Sequence, residues 1–66
     1  MSFGHKMKRL REMKGITTAE MGEIARVSQQ TISKFESGQK VPNVIAAVLI
    51  AKRLGTTVEA LVQEDD

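Results

Sequence analysis

Two helix-start signals eleven residues apart constrain this chain more than any other feature. In Ile16-Thr17-Thr18-Ala19-Glu20-Met21, a capping Thr is followed three residues later by Glu, and apolar residues occupy the two staple positions. The pattern returns at Val27-Ser28, with Ile32 as the second apolar partner. The first of these helices ends near Ala25, so only Arg26 and Val27 separate it from the next start. The sequence therefore predicts two short helices joined by a tight turn. Isolated helices below about 12 residues are marginal in water, so neither stands without a core to pack on.

The rest of the chain supplies that core. Phe3, Met7 and Leu10 recur at helical spacing within a first helix from about Ser2 to Lys14, stopped by Gly15. The helix begun at Ser28 runs from Gln29 to Ser37 and stops at Gly38. Its inward face carries Ile32, Phe35 and Glu36; Gln30, Ser33, Lys34 and Ser37 point away. Asn43 caps a fourth helix, Val44 to Leu54, and Thr57 caps a short fifth, Val58 to about Gln63. No segment reads as a strand. The expected fold is all-α: five helices in a single domain, 1–66, with the paired short helices at about 17–37. In the fourth helix Val44, Val48, Ala51 and Leu54 are expected to meet the core. Ile45 and Leu49 sit beside that face and, with Val62, form a candidate dimer interface.

Size sharpens the expectation of self-association. A chain of 66 residues buries only about 60% of its unfolded surface on folding, and such domains often need an added staple. No Cys is present and only one His, so disulfides and a zinc site are not expected, nor any other metal or cofactor. No constellation for general-base or nucleophilic catalysis is visible either, which argues against an enzyme. No signal peptide is recognisable, and the longest apolar run, Val44 to Ala51, is too short to span a membrane. A cytoplasmic protein is expected.

Charge is unevenly spread. Residues 1–40 carry eight Lys/Arg against four Asp/Glu, whereas 41–66 carry two against four, ending in Glu64-Asp65-Asp66. The basic half suits a polyanion. Two short helices about a tight turn form the arrangement in which one helix crosses a phosphate backbone and the next enters the major groove. The outward amides, hydroxyls and cation are the groups that pair with base edges.

Several segments together resemble the Cro/CI-type (XRE-like) helix-turn-helix family of phage and bacterial repressors: Met7-Lys8-Arg9-Leu10-Arg11, Gly15-Ile16-Thr17, Glu20-Met21 with Ala25, the stretch Val27 to Gly38, and Pro42 with Leu54-Gly55. The resemblance implies a lambda-repressor-like fold. It also implies a dimeric regulator, a repressor, on a palindromic double-stranded operator, in a bacterial or phage setting and associated with the nucleoid. By position it implies base contacts from Gln29, Gln30, Ser33 and Lys34. Phosphate contacts would come from Thr18, Thr31, Ser37, Lys40 and Asn43. Arg11 and Glu36 match a structural ion pair between the first and third helices. Two residues depart from the family pattern: Arg26 stands in the turn where Gly is common, and Gly22 where Ala is usual. An antitoxin-like module that binds a protein partner as well as DNA is the alternative reading.

Overall fold

The computed structural model describes residues 3–63, so Ser2 and the acidic residues 64–66 lie outside it. Among the described residues the chain forms five helices and no strand: α1 (Phe3–Met13), α2 (Thr18–Ala25), α3 (Gln29–Ser37), α4 (Val44–Leu54) and α5 (Val58–Val62).

All four expected caps are in use. Glu20 N–H donates to Thr17 Oγ1 at 3.0 Å and Thr17 N–H donates to Glu20 Oε1 at 3.1 Å, which closes the capping box. Ser28 Oγ accepts from Thr31 N–H at 3.1 Å, Asn43 Oδ1 from Ala46 N–H at 2.8 Å, and Thr57 Oγ1 from Ala60 N–H at 3.1 Å. A cap of this kind stabilises a helix by about 1 kcal/mol, a large contribution where the helices are this short. Arg26, in the turn after α2, takes the left-handed conformation (φ 62°, ψ 40°). A residue with a Cβ is disfavoured there by about 1 kcal/mol relative to Gly.

Every helix contributes one fully buried large side chain to the centre: Met7, Met21, Ile32, Ile50 and Leu61. Both staples reach this core, with Ile16 buried beside Met21 and Val27 half-buried against Ile32. Two glycines let backbones meet. A Cβ on Gly4 would lie 1.7 Å from the Phe35 carbonyl oxygen, so α1 rests directly on the C-terminal half of α3. A Cβ on Gly22 would lie 2.8 Å from the Val27 oxygen, so the departure from Ala at this position serves a close approach between α2 and its own turn.

The expected orientation of α4 is corrected. Val44 and Val48 do not face the core; they are 78% and 40% exposed. Ala46, Ala47 and Ile50 take their places beside Ala51 and Leu54. The helix is apolar on all sides over its first eight residues, so periodicity could not select a face. Three alanines on the inner side allow the α4 backbone to approach its neighbours closely, and Val44, Ile45 and Val48 are left outside while Ile50 is buried. Leu49, expected to be exposed with Ile45, is half-buried instead.

Candidate nucleic-acid interface

The inner side of α3 is fixed by apolar burial and by one ion pair. Ile32 and Phe35 insert into the core. Beside them Glu36 meets Arg11 of α1 in a two-point contact: Arg11 Nε donates to Oε2 at 2.7 Å and Nη2 to Oε1 at 3.3 Å. The remaining guanidinium nitrogen, Nη1, donates to the Ile16 carbonyl at 2.7 Å. Only 11% and 9% of the two side chains stays accessible. A charge removed from water to this degree needs such a partner. The expected pairing of Arg11 with Glu36 is therefore present, and the fork geometry holds α3 in one rotation relative to α1.

That rotation leaves the outer face of α3 entirely polar. Gln29, Gln30, Ser33, Lys34 and Ser37 line an open cleft of about 540 Å³, and Gln39 from the following loop completes it. The side chains of Gln30, Ser33, Lys34 and Gln39 make no hydrogen bond or ion pair among the described residues. Their donors and acceptors face water. Gln29 differs, since its Nε2 donates to Thr18 Oγ1 at 3.0 Å. One N–H of the amide is thereby committed, while the second N–H and the carbonyl oxygen stay available, the pair an adenine edge requires. Thr18, at the first residue of α2, thus orients the first residue of α3.

Of the other expected contact residues, Ser37 lines this cleft, while Thr18, Thr31, Lys40 and Asn43 are not part of its lining. Thr31 is half-buried, and its hydroxyl shares a 2.9 Å hydrogen bond with Ser28. Ser37 Oγ donates to the Lys34 carbonyl. Lys40 is exposed just beyond the cleft, and Asn43 spends its carbonyl oxygen on the α4 cap, which leaves its N–H₂ outward. Of the three residues expected at a dimer interface, Ile45 is 69% exposed, Val62 is exposed and Leu49 is half-buried. Val44 and Val48 join them on the surface, as does Val41 in the preceding loop.

Sequence reading did not single out Gln39. Its position follows from Gly38, whose left-handed backbone (φ 81°) folds the chain back so that Gln39 N–H donates to the Lys34 carbonyl at 2.9 Å. The helix-stopping Gly was visible; the consequence for the next side chain was the available signal. Among the described residues no three His, Cys, Asp or Glu are grouped to hold a metal ion, and no helix is long and apolar enough to cross a membrane.

Comparison with known proteins agrees with this geometry. Residues 7–61 match the helix-turn-helix family. Over 66 residues the chain is 33% identical to the HTH-type transcriptional activator BcrR of Enterococcus faecalis, of which it spans about a third (32%). Over 63 residues it is 36% identical to the uncharacterized HTH-type transcriptional regulator y4dJ of Sinorhizobium fredii, covering 96% of this chain and 82% of that protein. The P22 c2 repressor, solved in complex with a synthetic operator, superposes with a TM-score of 0.91 at 25% identity, covering 98% of each chain. Its five helices have the form of a phage-repressor domain, and the chain belongs to the XRE-type helix-turn-helix family of transcriptional regulators.

Proposed function

We propose that this chain is a sequence-specific double-stranded DNA-binding regulator of the repressor type. It acts in the cytoplasm as a homodimer, with α3 in the major groove of a palindromic operator. The observation that carries the reading is the outer face of α3, where uncommitted amides, a hydroxyl and a cation share one open cleft on a helix whose inner face is locked. Such groups are satisfied by water in the free protein and match base edges in the major groove.

In this arrangement Gln30, Ser33 and Lys34 read bases. Gln29 reads with its free N–H and carbonyl oxygen while Thr18 steadies its amide. The Thr18 hydroxyl accepts from Gln29, so its own hydrogen remains available for a phosphate oxygen. Thr31, Ser37, Lys40 and the Asn43 N–H₂ supply further phosphate contacts along the backbone, and Lys40 carries the charge among them. Such contacts position the protein; base contacts specify the site. The exposed apolar residues of α4 and α5 support the dimer. Ile45, Val44, Val48 and the edge of Leu49 leave α4 with exposed apolar side chains of the kind that mark an interface, and exposed Val62 of α5 would add to it. A two-fold contact there would set two α3 helices about 34 Å apart, one duplex turn.

Selection of bound sequences from a random duplex pool, followed by titration of the enriched site at several salt concentrations, tests the proposal. A palindromic consensus is expected. With about eight phosphates neutralised per dimer, log K should fall with log salt at a slope near −7. Absence of duplex binding even at low salt would overturn the reading. Gln30→Ala is expected to reduce operator affinity by roughly 1–3 kcal/mol per half-site, with non-specific binding nearly unchanged.

A further inference from the structure

We infer that Gln39, which lies outside the recognition helix, is a base-reading residue that sets the operator preference at the end of each half-site away from Gln30. The inference rests on the DNA-binding reading above.

Three observations carry it. First, Gln39 lines the same cleft as Gln29, Gln30, Ser33, Lys34 and Ser37, although it belongs to the loop. Its neighbour Lys40 does not line that cleft. Second, the loop holds Gln39 in place. The left-handed Gly38 turns the chain, and the Lys34 carbonyl accepts from both Gln39 N–H at 2.9 Å and Lys40 N–H at 3.2 Å. The side chain therefore starts from a fixed backbone point beside the last turn of α3. Third, its amide is uncommitted among the described residues, unlike that of Gln29. It offers one acceptor and two donors together, the set that pairs bidentately with adenine N6 and N7. Lys40, one residue further on and outside the cleft, carries the charge that phosphate attracts, which leaves the amide inside the cleft to the base edges.

The geometry also says where the base should lie. Gln30 and Ser37 are seven residues apart, and at 1.5 Å per residue they are separated by about 10 Å along the helix axis. Gln39 folds back level with this end. Base pairs stack at about 3.4 Å, so with α3 lying along the groove Gln39 meets a pair roughly three steps from the one read by Gln30. The half-site is then bracketed by two glutamines, with Ser33 and Lys34 between them.

The test compares sequences enriched from a random duplex pool by wild type, Gln39→Ala and Gln39→Glu, with thermal melts of each protein. Gln39 is exposed and its backbone bonds do not involve the side chain, so both variants should melt like wild type. For Gln39→Ala we expect one position per half-site, about three pairs from the Gln30 position, to lose its adenine preference. That preference should amount to about 5- to 150-fold in wild type. The remaining positions should be unchanged. Gln39→Glu should move the preference at that same position toward cytosine, whose N4 donates to a carboxylate. Uniform weakening by Gln39→Ala across all sequences, with every preference intact, would make Gln39 a backbone contact and overturn the inference. Unaltered enrichment and affinity would overturn it as well. If wild type itself enriches no sequence, the DNA-binding reading fails first and the inference falls with it.

Discussion

The outer faces of α3 and α4 make an instructive pair. Both belong to short capped helices on the same core, and each helix buries one large side chain at the centre of that core. Outward, they differ completely. α3 shows Gln, Ser and Lys; the N-terminal half of α4 shows Val44, Ile45 and Val48. Polar groups facing water are already satisfied, so the α3 face costs nothing in the free protein and can exchange water for base edges on binding. The aliphatic face has no such neutrality. Each Val or Ile left in water forgoes roughly 1.5–3 kcal/mol of possible burial, and that deficit is recovered only against another apolar surface. One face suits a hydrogen-bonding ligand, the other a protein surface.

The α3 face can act as a reader only if its back is rigid, and this gives the largest expected effect. Glu36→Ala strands Arg11 beside the core without its two-point partner. Breaking a buried pair costs about 3–5 kcal/mol; the slight residual exposure of both side chains places this variant near the lower end. In a domain of this size each kcal/mol moves Tm by about 4–8 °C, so the melt should shift by well over 10 °C. Glu36→Gln, which can keep one hydrogen bond, should lose less. Wild-type melting of Glu36→Ala would mean that the outward polar face is not held from behind, and the contrast with α4 would lose its basis.

A smaller effect is expected from the other face. Ile45→Glu places a charge in the middle of the exposed α4 surface. Because Ile45 is largely in water already, the fold should be nearly untouched, within about 0.5 kcal/mol. Self-association should weaken at least tenfold by sedimentation, and operator binding should become weaker and less steep while half-site preferences persist. Dimerisation at wild-type strength would remove α4 from the interface and leave its aliphatic face without a role.

The two faces also differ in how legible they were. The polar face of α3 could be read because its inward residues Ile32 and Phe35 fix the direction of all the others, and because caps are local signals: Thr17, Ser28, Asn43 and Thr57 each act on an N–H three residues away. The Arg11–Glu36 pair was legible through the family resemblance, and the demand of an inward carboxylate for a cation agrees with it. α4 lacked any such internal contrast. Val44 through Ala51 are all apolar, and the choice of face depended on how closely neighbouring helices could approach its alanines. Gly4 was illegible on similar grounds, because its contact with the Phe35 carbonyl arises only where α1 crosses α3. Gln39 joins the polar cleft through the turn at Gly38 and not through helical periodicity.

The finest distinction lies at Glu20, which connects the two regions. Its carboxylate caps α2 next to Thr18, which orients Gln29, and the charge of Arg53 on α4 also acts on it. The Thr17 backbone hydrogen bond, then the Thr17 side chain, and last the charge of Arg53 hold this carboxyl below the ordinary carboxylate range, against a small opposing effect of desolvation. A folded-state value below the unfolded one means that ionised Glu20 favours the fold. Its contribution is complete above the ordinary carboxylate range and fades as pH falls through the lowered folded value. The group is fully exposed, so the effect should be small. Glu20→Ala should therefore melt slightly below wild type at pH 7, and the gap should close as the solution is acidified below pH ~4. Glu20→Gln also lacks the titrating group, so its gap to wild type should narrow by the same amount over that interval, while the difference between Glu20→Gln and Glu20→Ala should not depend on pH. If the Glu20→Ala gap were the same at pH 7 and pH ~3, the ionised carboxylate would not be what holds the start of α2, and the support for Thr18 and Gln29 would rest on the Thr17 hydroxyl alone.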